Sequence, residues 1–114
     1  MSMPQNRDQL IDKLSERIRR FNESGDPAVL LDPEVPGLAR DLAETLWSPT
    51  YLDVTPDVTR ALIALVGVHW IRSRLLPGEQ GQDDLQACRR WSGILIHAAP
   101  DLVPEPVRAY LGRS

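Results

Sequence analysis

Residues 55–76 read TPDVTRALIALVGVHWIRSRLL, and this stretch decides the fold. Thr55 offers a hydroxyl N-cap, Pro56 suits the first helical position, and Asp57 places a carboxylate in the positive first turn. A third helix is therefore expected from Pro56 to about Leu76. Between Ala61 and Ile71 the residues are apolar nearly all round, which in a globular protein means a helix buried on most of its circumference. That helix is expected at the centre of the fold. The apolar run, which includes His69 and is flanked by Arg60 and Arg72, covers about 11 residues, short of the roughly 20 that span a bilayer.

Working outward, Leu10, Ile11, Leu14, Ile18 and Phe21 trace one stripe on a first helix over 8–23, which Gly25 ends. Asp26 and Pro27 read as an N-cap and a first-turn proline opening a short helical piece through Leu31. Leu38, Ala39, Leu42, Ala43 and Leu46 mark a second helix over 37–47, with a start as early as Pro33 as the alternative. Residues 48–54 form a connector containing Pro49. On the other side, Pro77-Gly78-Glu79-Gln80-Gly81 reads as a mobile loop. Asp83 and Asp84 then occupy the first turn of a fourth helix with the stripe Leu85, Cys88, Trp91, Leu95 and Ala98 or Ala99, stopped by Pro100. Pro104-Glu105-Pro106 opens a last short helix bearing Val107, Tyr110 and Leu111, closed by Gly112. No strand-like alternation of useful length is present. The expected class is all-α, a single helical domain over 1–114 with four main helices, packed as antiparallel hairpins, plus a short C-terminal helix.

With 114 residues the chain is one domain's worth, expected to bury about 65% of its unfolded surface. The net charge of −3 comes from 13 basic and 16 acidic residues interspersed along the chain, which argues against nucleic-acid binding through a clustered basic face. The densest basic run, Lys13, Arg17, Arg19 and Arg20, alternates with Asp12 and Glu16 and reads as a solvated surface rather than a phosphate site. Twelve of the basic residues are arginine, a bias that suggests a high-GC coding genome. Cys88 is the only cysteine, so no internal disulfide forms, and the reducing cytoplasm is the expected compartment. The polar N-terminus lacks the apolar core of a signal peptide.

No catalytic constellation emerges. His69 and His97 lie on different helices with no second ligand one turn away, so no metal site is expected, and no cofactor. Cys88 and His97 are nine residues apart on one helix, about 13 Å along its axis, which excludes a dyad. Cys88 beside Trp91 reads as a small buried thiol. The Asp83-Asp84 pair has a sufficient explanation in the helix dipole, as have Arg72 and Arg74 at the end of the central helix. The loop over 77–81 lacks the lysine of a phosphate-binding loop.

Helix, loop, helix, proline, helix is the grammar of a helical repeat. Ile63, Val66, Gly67 and Trp70 on the third helix, and Ala87, Trp91, Ile94 and Pro100 on and after the fourth, resemble the tetratricopeptide pattern. In this reading Gly67 lets the partner helix approach, and Trp70 and Trp91 fill the space between the two helices. The match covers about 56–111. It departs from the pattern in a loop several residues too long and a closing proline displaced by one. Together with Gly67-x-His69-Trp70, Asp83-Asp84-Leu85 and the Pro100 to Pro106 joint, the segment resembles tetratricopeptide-like arrays of actinobacterial proteins, often found ahead of a CHAT protease domain. No protease domain is present, so no catalytic residue is carried over.

The resemblance implies a non-catalytic module binding another protein or a second copy of itself; because such an array needs about three repeats and this chain supplies at most two and a fragment, a homodimer joined through an apolar helical face is expected. In the repeat register Ala64, Val68, Ile71 and Arg72 would line the inner surface and hold an acidic or C-terminal peptide. The alternative for this face is cover by the first or second helix. The rival function is a small helical enzyme or ligand-binding protein with a pocket near Trp70, Trp91 and His69; a helix-turn-helix regulator lacks its basic recognition helix.

Overall fold

A computed structural model describes residues 6–46 and 55–112, and every described element is helical. The order is α1 (Arg7–Ser24), α2 (Ala28–Leu31), α3 (Glu34–Thr45), α4 (Pro56–Leu75), α5 (Gly78–Ala98), a 3-10 turn (Pro100–Leu102) and α6 (Glu105–Gly112). The predicted connector over 48–54 and the predicted helix end at Trp47 lie outside the described residues.

Local chemistry explains most boundaries. Asn6 and Gln9 form a reciprocal capping box that starts α1. Gly25, at φ +70°, ends it by donating its N–H to the Phe21 carbonyl. Asp26 accepts from the Ala28 N–H at 3.0 Å ahead of α2, and Asp32 accepts from the Glu34 N–H at 2.8 Å ahead of α3. The second long helix thus starts three residues before Gly37, the earlier of the two expected starts. Pro36 is accommodated because it falls in the first turn, where its missing N–H would have no helical partner. Thr55 caps α4 as its sequence demands, accepting from the Val58 N–H at 3.2 Å.

The expected loop over 77–81 is instead the first turn of α5. Leu76 and Pro77 alone link α4 to α5, both in extended conformations, and Gly78 takes φ +65° as the new helix begins. Gly81 sits against the end of α4, where a Cβ would collide with the Leu76 carbonyl oxygen and meet that of Ser73 at 3.1 Å. The link is therefore short, and the excess length expected of it relative to a tetratricopeptide unit is absent.

Helix α4 is central. It packs along α5 most extensively and also touches α1, α2 and α3. Ala64, Leu65 and Val66 are consecutive and all buried, which requires neighbours on every side. Gly67 does allow a close approach, but to α1: its missing Cβ would stand 3.1 Å from Ile18 Cδ1. Arginines tie the remaining elements together. Arg7 donates to the Thr45 carbonyl at 2.6 Å and pairs with Asp57 at 2.7 Å, joining α1 to the end of α3 and the start of α4. Arg17 reaches the Val29 carbonyl, Asp32 and Glu34, while Arg19 pairs with Glu16 and Glu23, so these two are engaged by protein carboxylates.

Candidate functional site

Beyond Val68, α4 emerges from the core and its side chains meet the surface at two concavities. On one side stand His69, Arg72 and Asp84. Because α5 starts at Gly78, Asp84 lies in the second turn, not in the first, and it does not serve the helix dipole. It faces α4 and is only 9% exposed. One of its carboxylate oxygens lies 2.8 Å from His69 Nδ1 and 3.3 Å from Arg72 Nε. Arg72 in turn donates through Nη1 to the Leu30 carbonyl at 2.5 Å. That carbonyl belongs to the last turn of α2, where no intrahelical donor exists. The expected dipole role of Arg72 is thus superseded by a buried contact to two other helices, whereas Arg74 stays exposed.

A carboxylate oxygen accepts, so the bond runs from His69 Nδ1–H to Asp84. Nε2 is the ring nitrogen left over. It has no partner among the described residues, and no buried side-chain nitrogen or oxygen is left unsatisfied there, so Nε2 opens to the concavity. This space of about 430 Å³ is walled by Leu31, Pro33, Pro36, Leu76 and Gln80. An oriented imidazole next to a carboxylate is one half of a general-base arrangement. Among the described residues no Ser, Thr or Cys lines the space to act as nucleophile. Among the described residues no group of three or more His, Cys, Asp or Glu is placed to hold a metal ion.

The second concavity, about 480 Å³, is lined by Trp70, Arg74, Pro106, Ala109 and Tyr110. The Trp70 and Tyr110 rings lie 5.9 Å apart, tilted by 53°, within the range of favourable aromatic pairs. The Arg74 guanidinium lies over Trp70 at 5.7 Å and that of Arg89 over Tyr110 at 5.9 Å. The space lies between α4, which supplies Trp70 and Arg74, and α6, which supplies Pro106, Ala109 and Tyr110; Arg89 of α5 reaches the Tyr110 ring without lining the space.

Of the residues expected to line a peptide surface, Ala64 (4% exposed) and Val68 (0%) belong to the core, and Ile71 packs against it half-buried. Helices α1, α2, α3 and α5 all pack against α4. Of the four, Arg72 alone lines either of these two concavities, already engaged by Asp84. The three residues of the rival pocket do not converge: His69 opens to the first space, Trp70 to the second, and Trp91 lines neither. Trp91 is largely buried, with Arg90 over its ring at 5.1 Å. Sequence reasoning passed over Tyr110 and Asp84 as site residues. Placing the link at Leu76-Pro77 brings Asp84 opposite Arg72 and His69, and the pair Gly78 and Gly81 was the available signal for that placement.

Cys88 is a buried thiol, as expected, 3.7 Å from Ser92 Oγ. Burial pushes its pKa up, against a smaller lowering by Ser92. Above the ordinary thiol pKa the unfolded chain therefore loses the proton first, and linkage makes stability fall as pH rises through that window. Urea melts are expected to show a steeper loss between about pH 8 and 10 for the native chain than for Cys88→Ala. Equal slopes would show that the thiol is solvated.

No helix among the described residues is long and apolar enough to cross a membrane. No family model, curated protein or solved structure matches the chain.

Proposed function

We propose that this chain is a non-catalytic protein-binding module of the cytoplasm, built on a tetratricopeptide-like pairing of α4 with α5, whose partner docks in the Trp70–Tyr110 groove. The observation that carries this reading is a half-buried aromatic pair with exposed arginines over both rings, at a concavity between α4 and α6. Trp, Tyr and Arg are the residues that dominate binding energy at protein interfaces, because each combines large contact area with a polar handle. The paired helices, 20 and 21 residues long, exceed what a repeat of about 34 residues accommodates, so the reading keeps the pairing and not the repeat length.

A partner chain other than a second copy is favoured. Leu102, 49% exposed, is the one large hydrophobic side chain exposed among the described residues, too little for an apolar dimer face. The test is affinity capture from lysate of the source organism, with sedimentation of the pure protein alongside. A stoichiometric partner is expected with the native chain and not with Tyr110→Ala, and the pure protein is expected to sediment as a monomer at tens of micromolar. Equal capture by Tyr110→Ala, or a stable dimer, would overturn the reading.

A further inference from the structure

The partner's chemistry follows from which arginines are already satisfied. Arg7, Arg17, Arg19, Arg60 and Arg72 each have a carboxylate of this chain within ion-pair distance. Arg20, Arg40, Arg74, Arg89, Arg90 and Arg108 have none among the described residues, and of these Arg74 and Arg89 are the two that meet on one aromatic pair. Both are exposed; Arg74 lines the groove over Trp70, and Arg89 lies at its edge over Tyr110. A guanidinium held near an aromatic face by cation–π attraction still has N–H donors to offer a carboxylate. The ring contact also removes part of the side-chain freedom that forming an ion pair would otherwise have to remove.

Resting on the protein-binding reading above, we infer that the groove takes an extended acidic peptide segment, with one carboxylate at Arg74, a second at Arg89 and an apolar side chain between them on Trp70 and Tyr110. The two guanidiniums are no further apart than the three ring-to-ring and ring-to-cation legs laid end to end, a span that about five extended residues cover. Pro106 and Ala109 supply an apolar wall with no side-chain donor to compete. Single-stranded nucleic acid also stacks on aromatics beside arginine, but the chain's net charge of −3 opposes a polyanion more than a short acidic segment.

Fluorescence anisotropy tests this with three labelled probes: a dodecapeptide of alternating Glu and Leu, its Glu→Gln counterpart, and a dodecathymidylate. The acidic peptide is expected to bind at least tenfold more tightly than the Gln peptide. The double variant Arg74→Gln/Arg89→Gln is expected to lose that preference, while Arg40→Gln, an exposed arginine on α3, keeps it. Both are surface changes that leave the fold intact, which a thermal melt verifies. Equal binding of the two peptides, an unchanged preference in the double variant, or tighter binding of the oligonucleotide overturns the acidic-segment inference. The protein-binding reading then still stands or falls on whether Tyr110→Ala abolishes capture of the native partner.

Discussion

Asp84→Ala is expected to lower stability by about 3–5 kcal/mol, because it removes one partner of a buried ion pair and leaves the other charge behind. The side chains of Arg72 and Asp84 are each 11% exposed, so water cannot take over. His69 loses the acceptor for its Nδ1–H in the same step. Against a total of about 5–15 kcal/mol for a domain of this kind, the loss is large. Urea unfolding monitored by circular dichroism measures it. Asp84→Asn, which keeps an acceptor and loses the charge, is expected to cost less than the alanine change. A loss below about 1 kcal/mol for Asp84→Ala would mean that the pair behaves as a solvated surface bridge.

Gly81→Val is expected to cost about 3 kcal/mol. The atoms that a side chain would strike are the backbone carbonyls of Leu76 and Ser73, which have no rotamer to escape into, so the α4–α5 junction itself has to open. Gly93, further along the same helix, meets nothing within 4 Å. Gly93→Ala is expected to raise stability by about 0.5–1 kcal/mol, through the lower backbone entropy of alanine in a helix. Thermal melts of the two variants separate close packing from helix propensity. If both shift in the same direction by similar amounts, the collision at Gly81 is not real.

The long helices were legible because their signals are local. Thr55-Pro56-Asp57 sets the start of α4, and Gly25 sets the end of α1, through bonds made within four residues. The central burial of α4 was legible too, since a helix apolar on every side has only one place to go. The start of α5 was not. Pro77-Gly78 and Gly81 carry the residue types of a loop, and here the same glycines serve a tight junction in which one glycine takes a positive φ and another admits a carbonyl. That shift moved Asp84 from a helix cap to a buried ion pair. Tyr110 joined Trp70 through contact between α4 and α6, forty residues apart, which no local pattern encodes. Likewise Gly67 was read as a contact point between paired helices, and only the docking of α1 shows that Ile18 is the neighbour.

The two-residue link at Leu76-Pro77 has a kinetic meaning as well. A junction so short costs little loop-closure entropy, so α4 and α5 can pair while the rest of the chain is still unfolded. The Arg7–Asp57 bond, by contrast, joins residues fifty positions apart and waits on a far larger closure. By the same measure α1, α2 and α3, joined by links of three and two residues, can also pair locally, and the docking of the N-terminal helices onto α4 is the step with the largest closure. In a chain that ribosomes extend from the N-terminus, α1 to α3 emerge before the helix they must pack against exists.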